Sequence, residues 1–415
     1  MHQASGTDRL ADQAPRTEAP VGRLGVQPTV MEEVNRLAST GLDVALTDPA
    51  PRFELSEHTQ GQVDRALAEQ VARPDFVQWL FDAETHPAGR AWWGVAKRAV
   101  ALHTLYDVGG LATPAQGIDP AAYDAPLFDQ GTRSARDLIT QENSPAGADR
   151  ILGRYRDFFA GGALDDNADE YGLTSRDYLI GVTDSHAVRT RADCAFDLVH
   201  EHLRDRTNDQ PVRTLSLACG ASGPVLDLVD RLEAQGRPVD RAVFVDHDPL
   251  ALATVAGQAS IRGHADRVEL LRKNFLKTPI TSYVEPASVD VVDLVGLFEH
   301  IPTSRMGYRI AAHLLRAAAS ITRPGGLVLL ANMVTDRPQQ AFFDSVWPRL
   351  QQRTIAQTLD LVEEAGLPAT ATRVRVPARE GVYAVYAVPV PQAHFRVPSG
   401  QRLLGRALLA RSPEF

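Results

Sequence analysis

Short apolar runs alternate with amphipathic helical patterns along the second half of the chain. The runs are rich in Val and Leu, as expected for strands that are buried on both faces of a parallel sheet. They lie at residues 214–217, 242–246, 268–271, 291–295 and 327–330. A further helix at 354–365 precedes two alternating segments, 371–376 and 382–388, which predict a β pair closing the sheet. The pattern predicts an α/β protein with a doubly wound, mostly parallel sheet.

The first half of the chain has a different pattern. The sequence as a whole therefore predicts four regions. Residues 1–30 are polar and aperiodic, so we expect a disordered leader. Residues 31–184 predict a helical region that holds three of the four tryptophans, serving either as a cap over a substrate pocket or as a plain helical core. Residues 185–390 form the predicted sheet domain, and 391–415 form a tail with a short basic helix.

A glycine-bearing turn follows the first predicted strand. The stretch Thr214–Gly223 reads Thr-Leu-Ser-Leu-Ala-Cys-Gly-Ala-Ser-Gly, and Pro224 stands early in the helical pattern behind it. Gly220 and Gly223 would let the backbone approach a ligand closely. Such a turn alone is weak evidence, because many α/β proteins have one.

Acidic and polar residues end the next strands. Asp246 ends the second strand and could accept hydrogen bonds from both hydroxyls of a ribose, although it could also cap the next helix. Asn274 and Phe275 follow the third strand, and Glu299 and His300 follow the fourth. Since the carboxyl ends of parallel strands share one edge of a sheet, these side chains should lie near the glycine turn.

Composition narrows the classes of partner. The 415 residues carry a formal charge of −9, which gives no footprint for binding a polyanion, so no nucleic-acid partner is expected. Two cysteines, Cys194 and Cys219, argue against a disulfide framework or a cysteine-built metal site and suit a reducing cytoplasm. No apolar run reaches membrane-spanning length, so we expect a cytoplasmic protein with a small-molecule substrate and no membrane partner; a homodimer is one option for its assembly.

Together these motifs resemble the class I S-adenosylmethionine-dependent methyltransferases. The resemblance covers 185–388 and includes the first-strand motif, Val-Phe-Val-Asp, Asn-Phe, Glu-His-Ile-Pro and Arg-Pro-Gly-Gly. It implies a Rossmann-like methyltransferase domain, S-adenosylmethionine as cofactor and no metal. Candidate cofactor-binding residues are Ser216, Ala218, Cys219, Gly220, Gly223, Asp246, His247, Asn274, Phe275, Arg189 and Arg191.

Two positions depart from the family pattern. Ser216 stands where the family often has an acid, so the amino group of the cofactor would be held by backbone carbonyls near Ala218 or by another acid. Asn274 stands where an Asp is common and could still bond adenine through its amide. Arg189 and Arg191 are candidates for gripping the methionine carboxylate, or are ordinary surface charges.

His300, Glu299 and His186 are the candidate catalytic residues, with Tyr178 as a further one. His300 suits a general base at neutral pH, although it and Glu299 could instead brace the site. Arg349 and Arg353, in an insertion after the fifth strand, could pair with an acidic acceptor. The long helical region is similar to that of methyltransferases that esterify hydroxy fatty acids.

Three functions remain open from the sequence. The first is methyl transfer to the oxygen or nitrogen of a small molecule, such as a carboxylate or a natural-product intermediate. The second is a non-catalytic or regulatory protein that keeps the fold. The third is an NAD-dependent oxidoreductase, which Ala218 disfavours because a dinucleotide turn would have its first glycine there.

Overall fold

A computed structural model describes residues 26–48, 171–173, 183–204, 210–220, 222–247, 249–337 and 350–391, with isolated positions between 56 and 65. The strands are β1 (Val44–Thr47), β2 (Val212–Leu217), β3 (Val239–Asp246), β4 (Val268–Arg272), β5 (Val289–Leu294), β6 (Thr322–Met333), β7 (Arg373–Pro377) and β8 (Tyr383–Pro389). The helices are α1 (Pro28–Ser39), α2 (Thr183–Arg204), α3 (Gly223–Ala234), α4 (Pro249–Ile261), α5 (Arg305–Ile321) and α6 (Ile355–Glu364), with 3₁₀ turns at Ile280–Ser282, Phe298–His300 and Ala369–Ala371.

The eight strands of the described ranges belong to one sheet in the order β1-β7-β8-β6-β5-β2-β3-β4. Among these strands, only β8 runs antiparallel to its neighbours, β6 and β7. The predicted doubly wound, mostly parallel sheet is therefore confirmed, and the two alternating segments pair as β7 and β8. The Arg-Pro-Gly-Gly sequence at 323–326 is part of β6 and does not precede it. The backbone becomes extended at Thr322, directly after α5 ends, so the strand begins before these residues.

The N-terminal segment adds a strand to the sheet that the sequence pattern did not predict. β1 pairs in parallel with β7, so the β pair does not form the edge of the sheet. Glu33 of α1 also reaches α6, where its carboxylate accepts from the backbone N–H groups of Ile355 and Ala356 at 3.1 and 3.0 Å. Part of the segment expected to be a helical cap is thus built into the sheet domain.

Two apolar layers cover the sheet. Leu215, Leu217 and Val292 pack into the layer that contains α1, α5 and α6. Phe244 and Val291 pack into the opposite layer, which contains α2 and α3. Because side chains alternate along a strand, Ser216 and Asp293 project toward the α2 and α3 side.

The chain changes direction across the sheet between β2 and β5. From β2 it proceeds through β3 and β4 to one edge, and from β5 it proceeds through β6 toward the other. Ligands of open α/β sheets bind in the crevice at the carboxyl ends of the strands beside such a point. In this chain the loops after β2, β3 and β5 border it.

Several sequence predictions lie outside the described residues. They are the disordered leader up to residue 25, the part of the predicted helical region that holds the three tryptophans, the C-terminal tail beyond residue 391, Tyr178, Arg349, and the side chain of His186, whose backbone is helical in α2. In the part of the chain that the structure describes, no helix is long and apolar enough to cross a membrane.

Candidate functional site at the carboxyl ends of the strands

The loop after β2 contains three residues in the left-handed conformation. Their φ angles are 53° at Ala218, 55° at Gly220 and 47° at Ser222. Gly223, expected to form part of the turn, is instead the first residue of α3, and Ser222 takes the left-handed position before it. Only Gly220 adopts this conformation without the steric penalty of a Cβ, which costs about 1–2 kcal/mol. Strain of this kind is concentrated at ligand-binding sites.

Hydrogen bonds to β3 hold this loop in place. The N–H of Cys219 donates to the carbonyl of Val245 at 3.2 Å, and the N–H of Gly220 donates to Oδ2 of Asp246 at 3.0 Å. Nδ1 of the exposed His247 lies 3.3 Å from the other Asp246 oxygen. The Asp246 side chain is 2% exposed, so a ribose could reach its carboxylate only if the surrounding groups shift.

Asn274 and Phe275 lie beyond the end of β4 and are half-buried. Oδ1 of Asn274 accepts from the N–H groups of Leu276 and Lys277 at 3.1 and 3.2 Å, so the amide oxygen stabilises the local turn. An adenine contact would therefore use the amide N–H₂ of Asn274, which donates to ring nitrogens. The ring of Phe275 packs against the apolar layer beneath the loop.

Glu299 and Arg191 form a buried ion pair beside the end of β5. Nη1 of Arg191 donates to Oε1 of Glu299 at 3.1 Å, and their side chains are 9% and 3% exposed. The guanidinium also lies over the ring of Tyr383, 4.4 Å from its centroid, and the Tyr383 hydroxyl donates to the same Glu299 oxygen at 3.4 Å. Arg191 thus forms an ion pair with Glu299. The sequence had predicted instead that Arg191 binds the methionine carboxylate of the cofactor.

Arg189, the other candidate for the carboxylate, is half-buried on α2. Its charge acts on Glu380, a fully buried carboxyl that accepts from Oγ1 of Thr190 at 3.1 Å. Burial raises the pKa of Glu380, and this hydrogen bond and the charges of Arg379 and Arg189 partly oppose that rise. Arg189 therefore stabilises a buried acid in the structure as described.

His300 ends the 3₁₀ turn after β5 and is half-buried. Burial lowers the pKa of its imidazole from the ordinary value of 6.5, and the charge of Glu299 partly offsets the effect. The ring is therefore neutral at pH 7, the form that can accept a proton.

Arg353 holds the turn that carries Glu299 and His300. Its guanidinium is buried and donates to the carbonyls of Phe298 at 2.8 Å and Ile301 at 2.6 Å, and to Oδ1 of Asn332 at 2.8 Å. The expectation that Arg353 pairs with an acidic acceptor is therefore wrong, because the side chain is committed to the protein's own backbone. Gly307 packs so closely on Pro302 that a Cβ would collide with its carbonyl.

Asp293 is a site residue that sequence reasoning missed. It lies opposite Ser216 in the β2–β5 register, and Oγ of Ser216 donates to Oδ2 of Asp293 at 2.7 Å. The N–H of Val295 donates to its other oxygen at 3.0 Å. A signal was present in the sequence, since Asp293 interrupts the otherwise apolar run 291–295 on a strand expected to be buried.

The two cysteines are buried, and neither has the environment of a reactive thiol. Burial raises the pKa of Cys194 to about 12, and its sulfur lies 3.3 Å from the Thr47 hydroxyl. The sulfur of Cys219 contacts the carbonyl of Gly220 at 3.4 Å. Within the described ranges, no cluster of His, Cys, Asp and Glu could hold a metal ion.

An open depression of about 660 Å³ lies at the opposite edge of the sheet, near the start of β3. Glu233, Asp240, Asp266 and Arg267 line it, together with prolines and a glycine. It is remote from the strained loop and from the carboxyl ends of the strands, so we place the candidate site at the crevice instead.

The order of the described strands, and the one antiparallel strand among them, are those of the class I methyltransferase fold, as the sequence resemblance implied. The chain is similar to a possible exported protein from Bordetella parapertussis, with 16% identity and a TM-score of 0.44 over 82% of this chain and 99% of that one. It is also similar to an O-methyltransferase family protein from Burkholderia thailandensis, with 16% identity and a TM-score of 0.36 over 60% and 72% of the two chains.

A third similar structure is the magnesium protoporphyrin IX methyltransferase from Synechocystis PCC 6803 with bound S-adenosylhomocysteine. It is 10% identical, with a TM-score of 0.39 over 61% of this chain and 99% of that one. Likenesses of this strength concern the path of the chain and carry no argument about activity. No family model and no curated protein matches the chain.

Proposed function

We propose that the protein is an S-adenosylmethionine-dependent methyltransferase that acts on a small-molecule acceptor. The observation that carries the proposal is the strained loop at 218–222, which is fixed to β3 by the Gly220–Asp246 hydrogen bond at the switch point of the sheet. A loop that stores conformational strain beside a carboxylate is typical of a ligand-binding site.

The chemistry of the surrounding groups fits such a cofactor. Backbone of the loop at Ala218 and Gly220 would contact its methionine part, and the Asn274 amide and Phe275 ring would contact adenine. Asp246 would hold the ribose hydroxyls after the groups that cover its carboxylate shift. The bound cofactor supplies a methyl group that is activated by attachment to a sulfonium. The protein then has to align the acceptor, exclude water and, where the acceptor is a phenol or an amine, take up its proton.

His300 is the better of the two candidate bases after β5. Its neutral imidazole can accept a proton at pH 7, whereas the Glu299 carboxylate is paired with Arg191 and bonded by Tyr383. In this proposal Glu299 and Arg191 set the position of the turn, and His300 takes the proton from a phenol or amine. A carboxylate acceptor is already ionised and needs no base.

The transfer is tested by incubating the purified full chain with S-adenosylmethionine and a panel of carboxylic acids, phenols and amines, with product masses read by mass spectrometry. We expect one class to gain a methyl group. Binding of S-adenosylhomocysteine without product from any class would favour the non-catalytic alternative, and binding of NAD without S-adenosylmethionine would favour the oxidoreductase.

The His300→Gln variant tests the assignment of the base in the same assay. Loss of general-base catalysis should lower the rate for a phenol or amine by about 10²–10⁴-fold and leave a carboxylate acceptor unaffected. An unchanged rate with a phenol or amine would reject His300 as the base.

A further inference from the structure

We infer that Asn332 is a positioning residue for His300, the base proposed for a phenol or amine acceptor. The inference rests on the proposed methyl transfer. Asn332 lies near the end of β6, an inner strand between β8 and β5, where apolar residues are the rule. It is 1% exposed and shares a face of the sheet with the buried Val328 and Leu330. An amide buried at such a place needs hydrogen-bond partners.

The oxygen and the nitrogen of the Asn332 amide both have protein partners. Oδ1 accepts from Nη1 of Arg353 at 2.8 Å. Nδ2 donates to the carbonyl of Met333 at 2.6 Å and to the carbonyl of Gln351 at 3.3 Å. The amide therefore ties the end of its own strand to the segment 351–353. A buried polar group that is satisfied in this way makes the structure around it rigid.

The segment 351–353 takes the place beside β6 that β5 occupies earlier in the strand. The pairing of β6 with β5 ends at Leu330, two residues before Asn332. On the other side, β8 stays paired with β6 as far as Met333. The isolated parallel bridge between Met333 and Gln352 therefore lies on the side that β5 has left. Asn332 holds this short pairing through its side chain.

The same segment holds the turn that carries His300. The guanidinium of Arg353 donates to backbone carbonyls on both sides of His300, and the N–H of Gln351 donates to the carbonyl of Glu299 at 2.6 Å. Both donor residues contact Asn332, so its amide orients the groups that fix the backbone around His300. Because a displacement of about 1 Å can cost on the order of 10²-fold in rate, this orientation bears on catalysis.

The position of His300 can be measured without any methyl acceptor. Burial lowers the pKa of His300 from 6.5, and the nearby charges of Glu299 and Arg191 act in opposite directions. Asn332→Leu has a similar shape but forms no hydrogen bonds, so we expect the turn to loosen and the pKa of His300 to rise toward 6.5. NMR titration of the histidine ring protons measures the change, with the His300 signal assigned by its absence in His300→Gln.

The controls separate this role from general loosening of the fold. His313 on α5 is an internal control, because burial also lowers its pKa, and it should titrate as in wild type. Asn35→Leu, at an exposed position on α1, should leave both histidines unchanged. Asn332→Ser, which is too short to reach Arg353, gives the same test if the Leu variant does not fold. An equal rise of the pKa at His300 and His313, or no rise at His300, would overturn the inference.

Methyl transfer then shows whether this position matters for the reaction. With a phenol or amine, we expect Asn332→Leu to lower kcat by about 10- to 100-fold and to leave KM and the affinity for S-adenosylhomocysteine as in wild type. A carboxylate acceptor needs no base and should react normally. An equal loss with every acceptor, no loss with a phenol or amine, or wild-type transfer to carboxylates alone would overturn the inference. Absence of any transfer by wild type would instead refute the proposed function, while the titration of His300 would still decide whether Asn332 fixes the turn.

Discussion

At the scale of single residues, the site is defined by backbone conformations that the side chains do not favour. Ala218 and Ser222 are held at φ 53° and 47°, where a Cβ is strained. Both flank Gly220, whose N–H is bonded to Asp246. The strain is tolerated because the loop is tied to β3, and it keeps the backbone in the conformation that we propose contacts the cofactor.

Glycine substitution in this loop should therefore stabilise the protein. For Ala218→Gly we expect a gain of up to about 1 kcal/mol, because relief of the left-handed strain exceeds the entropy that glycine adds to the unfolded chain. The matched control is Ala256→Gly, an exposed position within α4, which should lose about 1 kcal/mol. Thermal unfolding measures both, and shifts of the same sign would contradict the account.

At the scale of elements, the turn at Phe298–His300 is fixed from several sides. Arg353 bonds the carbonyls of Phe298 and Ile301, Gly307 packs on Pro302, and Arg191 pairs with Glu299. The contacts of Arg353 and Arg191 do not follow from local sequence, because their partners are more than 50 residues away along the chain. The turn is thereby held rigidly at the end of β5, as the base that we propose at His300 would require.

Substitution of Arg353 should show that this rigidity depends on the shape of the guanidinium. Arg353→Lys keeps the charge but cannot donate to Phe298, Ile301 and Asn332 together, so we expect a loss of about 2–4 kcal/mol in the free energy of unfolding. Arg305→Lys, at an exposed position in the first turn of α5, is the control and should change stability by less than about 0.5 kcal/mol. Denaturant titration gives both values; equal effects would show that Arg353 is not a clamp.

The N-terminal segment is tied to the sheet domain by a side-chain cap. Glu33 accepts two backbone N–H groups at the start of α6, which also has a capping box at Thr354. We expect Glu33→Gln to cost about 1 kcal/mol, because the charge-assisted cap is lost. Glu32→Gln, one residue away and exposed, should be neutral. Equal unfolding midpoints of the two variants would refute the capping role.

Sequence reasoning reached some elements and missed others for identifiable reasons. The runs that became β2 to β8 were predicted because buried strands are apolar, and the Asp246 and His300 positions followed from the strand ends. β1 was missed because Val44–Thr47 is short and only partly buried. Asp293 was missed because its contact with Ser216 depends on the register between β2 and β5. The Arg191–Glu299 pair was missed because it depends on how α2 packs against the sheet. Neither arrangement can be read from the pattern of residues along the sequence.

At the scale of the whole molecule, stability should fall as the solution becomes acidic. Burial lowers the pKa of both His300 and His313 from 6.5, and the charge of Arg316 lowers that of His313 further. As the pH falls below about 6.5, the unfolded chain takes up protons on these histidines more readily than the folded chain does. The free energy of unfolding therefore decreases as the pH falls through that range. We expect the double variant His300→Gln, His313→Gln to have a flatter dependence between pH 6.5 and 5 than wild type, measured by denaturant titration. A parallel dependence would show that other groups control it.

The described part of the chain has a methyltransferase fold, and the carboxyl edge of its sheet carries a strained loop flanked by two carboxylates. We propose that S-adenosylmethionine binds at this edge. Calorimetric titration of the full chain with S-adenosylhomocysteine, and separately with NAD, measures this binding. We expect saturable binding of S-adenosylhomocysteine at one site per chain, weakened by about 1–3 kcal/mol in Asp246→Ala, and no binding of NAD. Binding of NAD with no heat from S-adenosylhomocysteine would contradict it.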